Sequence, residues 1–482
     1  MNWLTSLLRG FDHFVLGYFL ALNSGYLVLL ALATVSVTRT IRRLDIAGYS
    51  DIFANPLTPG VSVLVPAHNE ETMIVESVRG LLTLRYPEFE VVVIDDGSTD
   101  ATFARLEEAF DLVEIERVVP HDVPTAGKIH SIFAPRHGEH LVVARKDNAG
   151  RRSDPLNAGI NVARYPLICM IDADSLLDEN ALLRVAKPFV DDPERTVGTG
   201  GTIRAANGSE VSRGRVVTPK MPRGWVARVQ IVEYLRSFLI GRTAWARVGG
   251  LLIISGAFGM FRRDILVEVG GLDLDCVGED AELVTRLHKH LRDQRRDYRL
   301  VFLSEPVCWT EVPPSLRVLS SQRRRWSRGL AEVLWKHKAM IGNPRYGIIG
   351  LVVLPYYLVF ELLGAVVELL GVFAVALSLA LGILNLKFAI LFFLASVGYG
   401  VLLSFATFAL EEFSFHRYSR WHDLWAGAGA SVMENVGYRQ LHAWWRLRGI
   451  FAATFGGPTW EEMPRDGFGP AQIQDEPSLT QV

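Results

Sequence analysis

The chain carries two kinds of hydrophobic pattern. From Phe14 to Val37 apolar residues run almost unbroken, and roughly 20 such residues cross a bilayer as a helix. From about Pro56 to Arg345 the chain is mixed, and short β-branched runs alternate with segments of helical spacing. Val61 to Val65, Val91 to Ile94, Leu141 to Ala144 and Leu167 to Ile171 read as buried strands. Glu70 to Leu84, Ala101 to Phe110 and Leu156 to Ala163 read as helices between them. Strands alternating with helices predict an α/β fold with a mostly parallel, Rossmann-like sheet covered on both faces. From Tyr346 to Leu410 the chain is apolar again, with Glu361, Glu368 and Lys387 as its charged residues. Two spans, Gly347 to Ala380 and Lys387 to Glu411, return it to the side it left. A weaker patch, Leu424 to Val436, reads as a further span or as an interfacial helix.

This pattern divides the chain. Residues 1–45 form an N-terminal transmembrane helix and residues 56–345 a globular domain. Residues 346–412 form transmembrane helices, and residues 413–469 an amphipathic or further membrane segment with a C-terminal part. Residues 470–482 have the composition of a disordered tail. Within the globular domain, Gly224 to Val248 and Leu316 to Met340 mix arginine with tryptophan, as helices lying on a membrane surface do. Arg39, Arg42 and Arg43 follow the first span, and Arg417 and Arg420 follow the last. The positive-inside rule then puts the globular domain on the cytoplasmic face of the plasma (inner) membrane. Glu361 and Glu368 are costly in lipid and should face protein or a channel.

Composition narrows the chemistry. A formal net charge of -2 gives no case for nucleic-acid binding. The three cysteines, Cys169, Cys276 and Cys308, form no CxxC pair, so neither a disulfide framework nor a structural zinc site is expected. The histidines show no ligand spacing.

In parallel sheets, ligands bind beyond the carboxyl ends of the strands. Polar residues gather at three such ends: Pro66-Ala67-His68-Asn69-Glu70-Glu71, Asp95-Asp96-Gly97-Ser98-Thr99-Asp100 and Asp172-Ala173-Asp174. Clustered carboxylates need an offsetting cation or hydrogen-bond donors. Asp-x-Asp at a strand end suits Mg²⁺ or Mn²⁺, hard cations that keep positions open for phosphate oxygens. Helix capping is the plainer role for some of these residues, Ser98 and Asp100 first among them.

These motifs, with Gly278-Glu279-Asp280 and Gln322-Arg323-Arg324-Arg325-Trp326 in the same order, resemble family 2 glycosyltransferases of the GT-A fold. The Gln-x-x-Arg-Trp signature is similar to that of the processive branch, which includes cellulose, hyaluronan and poly-N-acetylglucosamine synthases. The resemblance runs from Val61 to about Phe468, and the single N-terminal span is closer to the poly-N-acetylglucosamine type. It implies that Ala67, Glu70 and Asp96 contact uridine and ribose, with Asp95 beside them. Asp172 and Asp174 would hold the nucleotide and a Mg²⁺ or Mn²⁺ ion. Asp280 would be the general base, and Gln322, Arg325 and Trp326 would lie beside the diphosphate and acceptor sugar. Ser255 to Gly259 would line the acceptor end.

Two departures stand out. Arg152 takes the place of a phosphate-binding lysine, with a differently shaped donor set, and Gly278 replaces a threonine. The Gly- and Arg-rich stretch Arg204 to Arg223 is expected to be a mobile loop over the site.

The resemblance implies a processive, inverting transferase that polymerises sugar from UDP-N-acetylglucosamine or UDP-glucose. It would pass the polysaccharide across the bilayer, alone or with an envelope export partner. Two alternatives stay open. One is a non-processive transferase acting on a lipid or glycan acceptor. The other is a catalytically silent membrane receptor or assembly subunit that keeps the nucleotide-binding fold.

Overall fold

Valine and isoleucine crowd the first strands because helices cover both faces of the sheet they form. The computed structural model describes residues 2–44, 52–53, 55–138, 140–212, 214–415 and 420–455. Arg417, the end of the 413–469 segment and the tail expected at 470–482 lie outside the described residues.

The strands are Val61–Ala67 (β1), Phe89–Asp96 (β2), Leu112–Ile115 (β3), Ile129–Pro135 (β4), Leu141–Lys146 (β5) and Leu167–Ile171 (β6), followed by Leu176–Leu177 (β7), Thr196–Ala205 (β8), Glu210–Ser212 (β9), Arg215–Thr218 (β10), Phe258–Arg262 (β11) and Arg299–Thr310 (β12). A ten-stranded sheet has the order β3-β4-β5-β2-β1-β6-β11-β8-β12-β7. Its centre, β5-β2-β1-β6, is parallel, as expected. Antiparallel pairs flank it: β3 with β4, β4 with β5, and β11 with both β6 and β8. Because β11 runs against β6, its start lies beside the end of β6, with Phe258 opposite Ile171. The Ser255 to Gly259 segment therefore adjoins the Asp172-Ala173-Asp174 turn.

Three described helices are long and apolar enough to cross a membrane: Gly10–Arg42, Ile349–Ala380 and Leu386–Phe415. The Leu424 to Val436 patch is not among them. Most of it sits in Trp421–Met433, whose 13 residues are too few to span. The backbone then leaves helical geometry at Val436 and Gly437 (φ 84°) before Arg439–Phe455 resumes. That last helix lies on Leu316–Lys336. Ser327 Oγ donates to the Arg446 carbonyl (2.9 Å), and a Cβ on Gly449 would meet the Arg324 carbonyl at 2.4 Å.

One expectation needs correction. The stretch Arg204 to Arg223 is not a loop over the site. It contains the antiparallel hairpin β9-β10, moored by Arg215 to the Thr83 carbonyl (2.8 Å) and to Glu179 (3.1 Å). In the two arginine-rich helices some arginines turn inward. Arg323 is buried and pairs with Glu233 (2.7 Å), and Arg236 pairs with Glu434 (2.8 Å). Trp225, Trp326 and Trp335 of the same helices stay exposed. Glu361 and Glu368 face protein as expected, through Tyr26 (2.8 Å) and Arg439 (3.0 Å).

Candidate active site

A cavity of about 1080 Å³ opens at the carboxyl ends of the parallel strands. Ala67, Glu70, Asp96, Arg152, Asp172, Asp174, Asp280, Gln322, Arg325 and Trp326 all line it. It continues between the membrane helices, where Tyr18, Tyr26, Tyr356, Phe360, Glu361 and Tyr438 form part of its wall.

Asp95 is the exception among the expected site residues. Successive side chains on a strand point to opposite faces, so the Asp95-Asp96 pair is split. Asp96 reaches the cavity. Asp95 is buried away from it, accepting the Ser98 amide (3.1 Å) and pairing with Arg145 (3.3 Å). It braces the turn. Asp100 accepts the Thr102 amide at 2.9 Å in the turn before helix Thr102–Phe110, whose N-cap is Ala101, and Ser98 Oγ accepts the Asn69 amide at 3.1 Å. His68 lies in the cavity wall, its Nδ1 2.8 Å from the Asp96 carbonyl.

Asp96 leans on a group that the motifs do not reveal. Lys146, at the end of β5, is fully buried and touches Asp96 (2.5 Å) and Asp154 (2.7 Å). Asp154 in turn accepts the Ala126 (2.6 Å) and Gly127 (3.0 Å) amides. Burial pushes the Asp96 carboxyl above its ordinary value, and the lysine only partly counters this.

Arg152 precedes helix Ser153–Val162 and bridges two carboxylates, Asp172 and Glu279 (2.5 Å). Burial raises the Glu279 carboxyl, and Arg152 acts against that. Its fork goes to both carboxylates, of which Glu279 is buried and needs a counter-cation. Gly256 makes room for it: a Cβ there would lie 2.3 Å from Nη1.

Asp280 opens helix Glu279–Asp293, with its carboxylate accepting the Ala281 amide (2.7 Å) and the Gly256 amide (3.3 Å). The glycine before it has a packing reason. A Cβ on Gly278 would meet Gly329 at 3.0 Å, and one on Gly329 would meet Gly278 Cα at 2.8 Å. This backbone contact brings the Glu279-Asp280 turn against the Gln322–Trp326 helix. Trp326 is half-exposed and its ring lies 4.2 Å from the Arg323 guanidinium, a cation–π contact that fixes the indole. Gln322 Oε1 is buried in the cavity wall without a hydrogen bond among the described residues.

Further along the Glu279–Asp293 helix, His288 bonds the Leu251 carbonyl (2.7 Å) and the Tyr298 hydroxyl (2.6 Å). Burial pushes its imidazole down to about 4. Between that value and the unfolded value of about 6.5, the unfolded chain binds a proton that the folded chain refuses. Stability therefore falls as pH is lowered through this window. The melting temperature should drop from pH 6.5 toward pH 4, and less steeply in His288→Asn, as thermal melts across that range would read.

Asp172 and Asp174 supply oxygen donors suited to Mg²⁺ or Mn²⁺. Among the described residues no group of three or more His, Cys, Asp or Glu side chains forms a metal cage. The donor set therefore fits an ion held by one or two carboxylates, with phosphate oxygens and water completing its shell.

Comparison with known proteins agrees with this layout. The family model described as glycosyltransferase like family 2 matches residues 59–329. The poly-beta-1,6-N-acetyl-D-glucosamine synthase of Staphylococcus aureus (strain COL) is 28% identical over 277 residues, covering 57% of this chain and 55% of that protein. The Staphylococcus epidermidis protein of the same name is 27% identical over 275 residues, with the same coverage. The chain thus spans about half the length of these curated relatives. Among solved structures, a mannosyltransferase from Pyrobaculum calidifontis in complex with GDP-Man and Mn²⁺ is similar. The TM-score is 0.48 at 19% identity, over 87% of this chain and 99% of that one. The match covers more than half of the chain and contains each motif that lines the cavity, so the chain belongs to glycosyltransferase-like family 2.

Proposed function

We propose that the protein is a processive, inverting glycosyltransferase that builds a polysaccharide from a UDP-sugar and passes it into the membrane. The observation that carries this reading is the continuity of the cavity, from the motif residues at the strand ends to the tyrosines and glutamates between the membrane helices. A transferase that moved one sugar onto a small acceptor would not need a path beyond its acceptor site. The names of the similar synthases support UDP-N-acetylglucosamine as the donor. The arginines flanking the first span favour a cytoplasmic catalytic domain at the inner membrane.

The roles follow from chemistry. Asp96, with Ala67 and Glu70, binds the nucleoside. Asp280 takes the proton of the acceptor hydroxyl as that oxygen attacks the anomeric carbon. The bond from that carbon to the diphosphate oxygen breaks, and UDP leaves. Arg325 offers a bidentate fork to the departing phosphate oxygens. Asp172 and Asp174 would hold a Mg²⁺ or Mn²⁺ ion, which would supply Lewis-acid neutralisation of the same charge. Trp326 gives the acceptor ring an apolar platform, and Gln322 brings an amide oxygen to the same wall.

The test is UDP release by the detergent-purified protein with each common UDP-sugar in turn, Mg²⁺ or Mn²⁺ being present. Release from UDP-N-acetylglucosamine is the expected result. Binding of UDP-sugars without turnover of any would favour a silent receptor.

A further inference from the structure

Helix Trp225–Tyr234 loosens into a π-helical stretch, Leu235–Arg242, before closing as Thr243–Arg247. Wide turns of this kind recur at functional sites because they redirect side chains. Here the stretch ends on Arg242, which lines the cavity, as Asp280 does.

Arg242 differs from three other arginines of that wall. Arg236, Arg323 and Arg439 each hold a carboxylate. Arg242 makes no ion pair or hydrogen bond among the described residues, and its Nη1 is shielded from solvent without a partner. The guanidinium stacks on the Phe238 ring at 3.7 Å, which fixes its place. Burial holds it below its ordinary value. Asp280, Tyr357 and Tyr234 act on its charge but do not offset the lost water. A guanidinium has five donors and no acceptor, and leaving a shielded donor unsatisfied is unfavourable. The other Arg242 nitrogens are open to the cavity, where an oxygen-bearing ligand would complete them. Asp280 and Tyr357, the latter from a membrane helix, line the same cavity and both act on the Arg242 charge.

We propose that Arg242 binds the acceptor: its guanidinium donates to a hydroxyl or acetamido oxygen of the terminal sugar of the growing chain, holding that sugar beside Asp280. The assignment rests on the transferase reading and adds an acceptor-binding residue outside the motifs.

The experiment uses the full chain in detergent at saturating UDP-N-acetylglucosamine, with a short N-acetylglucosamine oligosaccharide as the varied acceptor. A hydrogen bond from a charged group corresponds to about ten- to a hundredfold in affinity. Arg242→Ala should raise the half-saturating acceptor concentration by about that factor, while UDP affinity changes less than about twofold. Arg242→Lys keeps the charge and should fall between variant and wild type. It also decides the matter if Arg242→Ala does not fold. Unchanged acceptor dependence in a folded variant overturns the proposal. Loss of UDP affinity in a variant that melts like wild type overturns it too, and makes Arg242 a diphosphate ligand. Wild-type protein that transfers to no acceptor fails the transferase reading instead.

Discussion

Asp280→Asn should slow sugar transfer by about 10²- to 10⁴-fold, the usual contribution of a positioned base, while UDP still binds. The amide keeps the shape of the carboxylate, and its oxygen can still accept the shorter bond, from the Ala281 amide, while the longer one from Gly256, made to the other carboxylate oxygen, is given up. What it cannot do is take a proton. Helix Glu279–Asp293 and its close contact with the Gln322–Trp326 segment should persist, since that contact is made by Gly278 and Gly329. Rapid-quench measurement of UDP formation, beside equilibrium UDP binding, separates the two effects. A variant within about tenfold of wild type, well short of the general-base range, would move the base role to another carboxylate of the cavity.

Lys146→Met should destabilise the fold by about 3–5 kcal/mol, the range for removing one partner of a buried ion pair. Lys146 and Asp154 have no exposed side-chain surface and Asp96 is almost as deep. Without the ammonium two carboxylates face each other out of water. Asp154 still has the Ala126 and Gly127 amides, whereas Asp96 loses its counter-ion. UDP affinity should therefore fall in the fraction that remains folded. Removing the second acid as well, in Lys146→Met with Asp154→Asn, should recover part of the loss, because residues in one network are not additive. Chemical denaturation of the variants gives the stability term. Equal stability of Lys146→Met and wild type would contradict a buried pair at this position.

Much of this architecture was legible in the sequence. The parallel strands were readable because a strand buried on both faces is a short β-branched run, and β1, β2, β5 and β6 are such runs. The strands beyond them were not. Thr196–Ala205 is rich in glycine and threonine, and Arg299–Thr310 contains Pro306 and several register shifts. Neither has a period, and pairing with distant partners alone makes them strands. The motifs placed Asp96, Asp172, Asp174, Asp280 and Trp326 around one cavity, but they grouped Asp95 with Asp96, which the pleat separates. The Arg323–Glu233 and Arg236–Glu434 pairs join residues far apart in the chain. Nothing local in a basic, aromatic helix therefore marked which of its arginines turn inward. Lys146 and Asp154 carried no motif signal; a charged residue closing a β-branched run was the available hint.

The central claim is that one cavity both makes the polymer and carries it into the membrane. The direct measurement reconstitutes the protein into sealed vesicles, supplies labelled UDP-N-acetylglucosamine on the side of the catalytic domain, and follows the size and sidedness of the labelled product. The account predicts long chains even when few donor molecules per enzyme have been consumed, and label inside the vesicles protected from an added glycan hydrolase. Single-sugar products, or chains wholly accessible to the hydrolase, would contradict it.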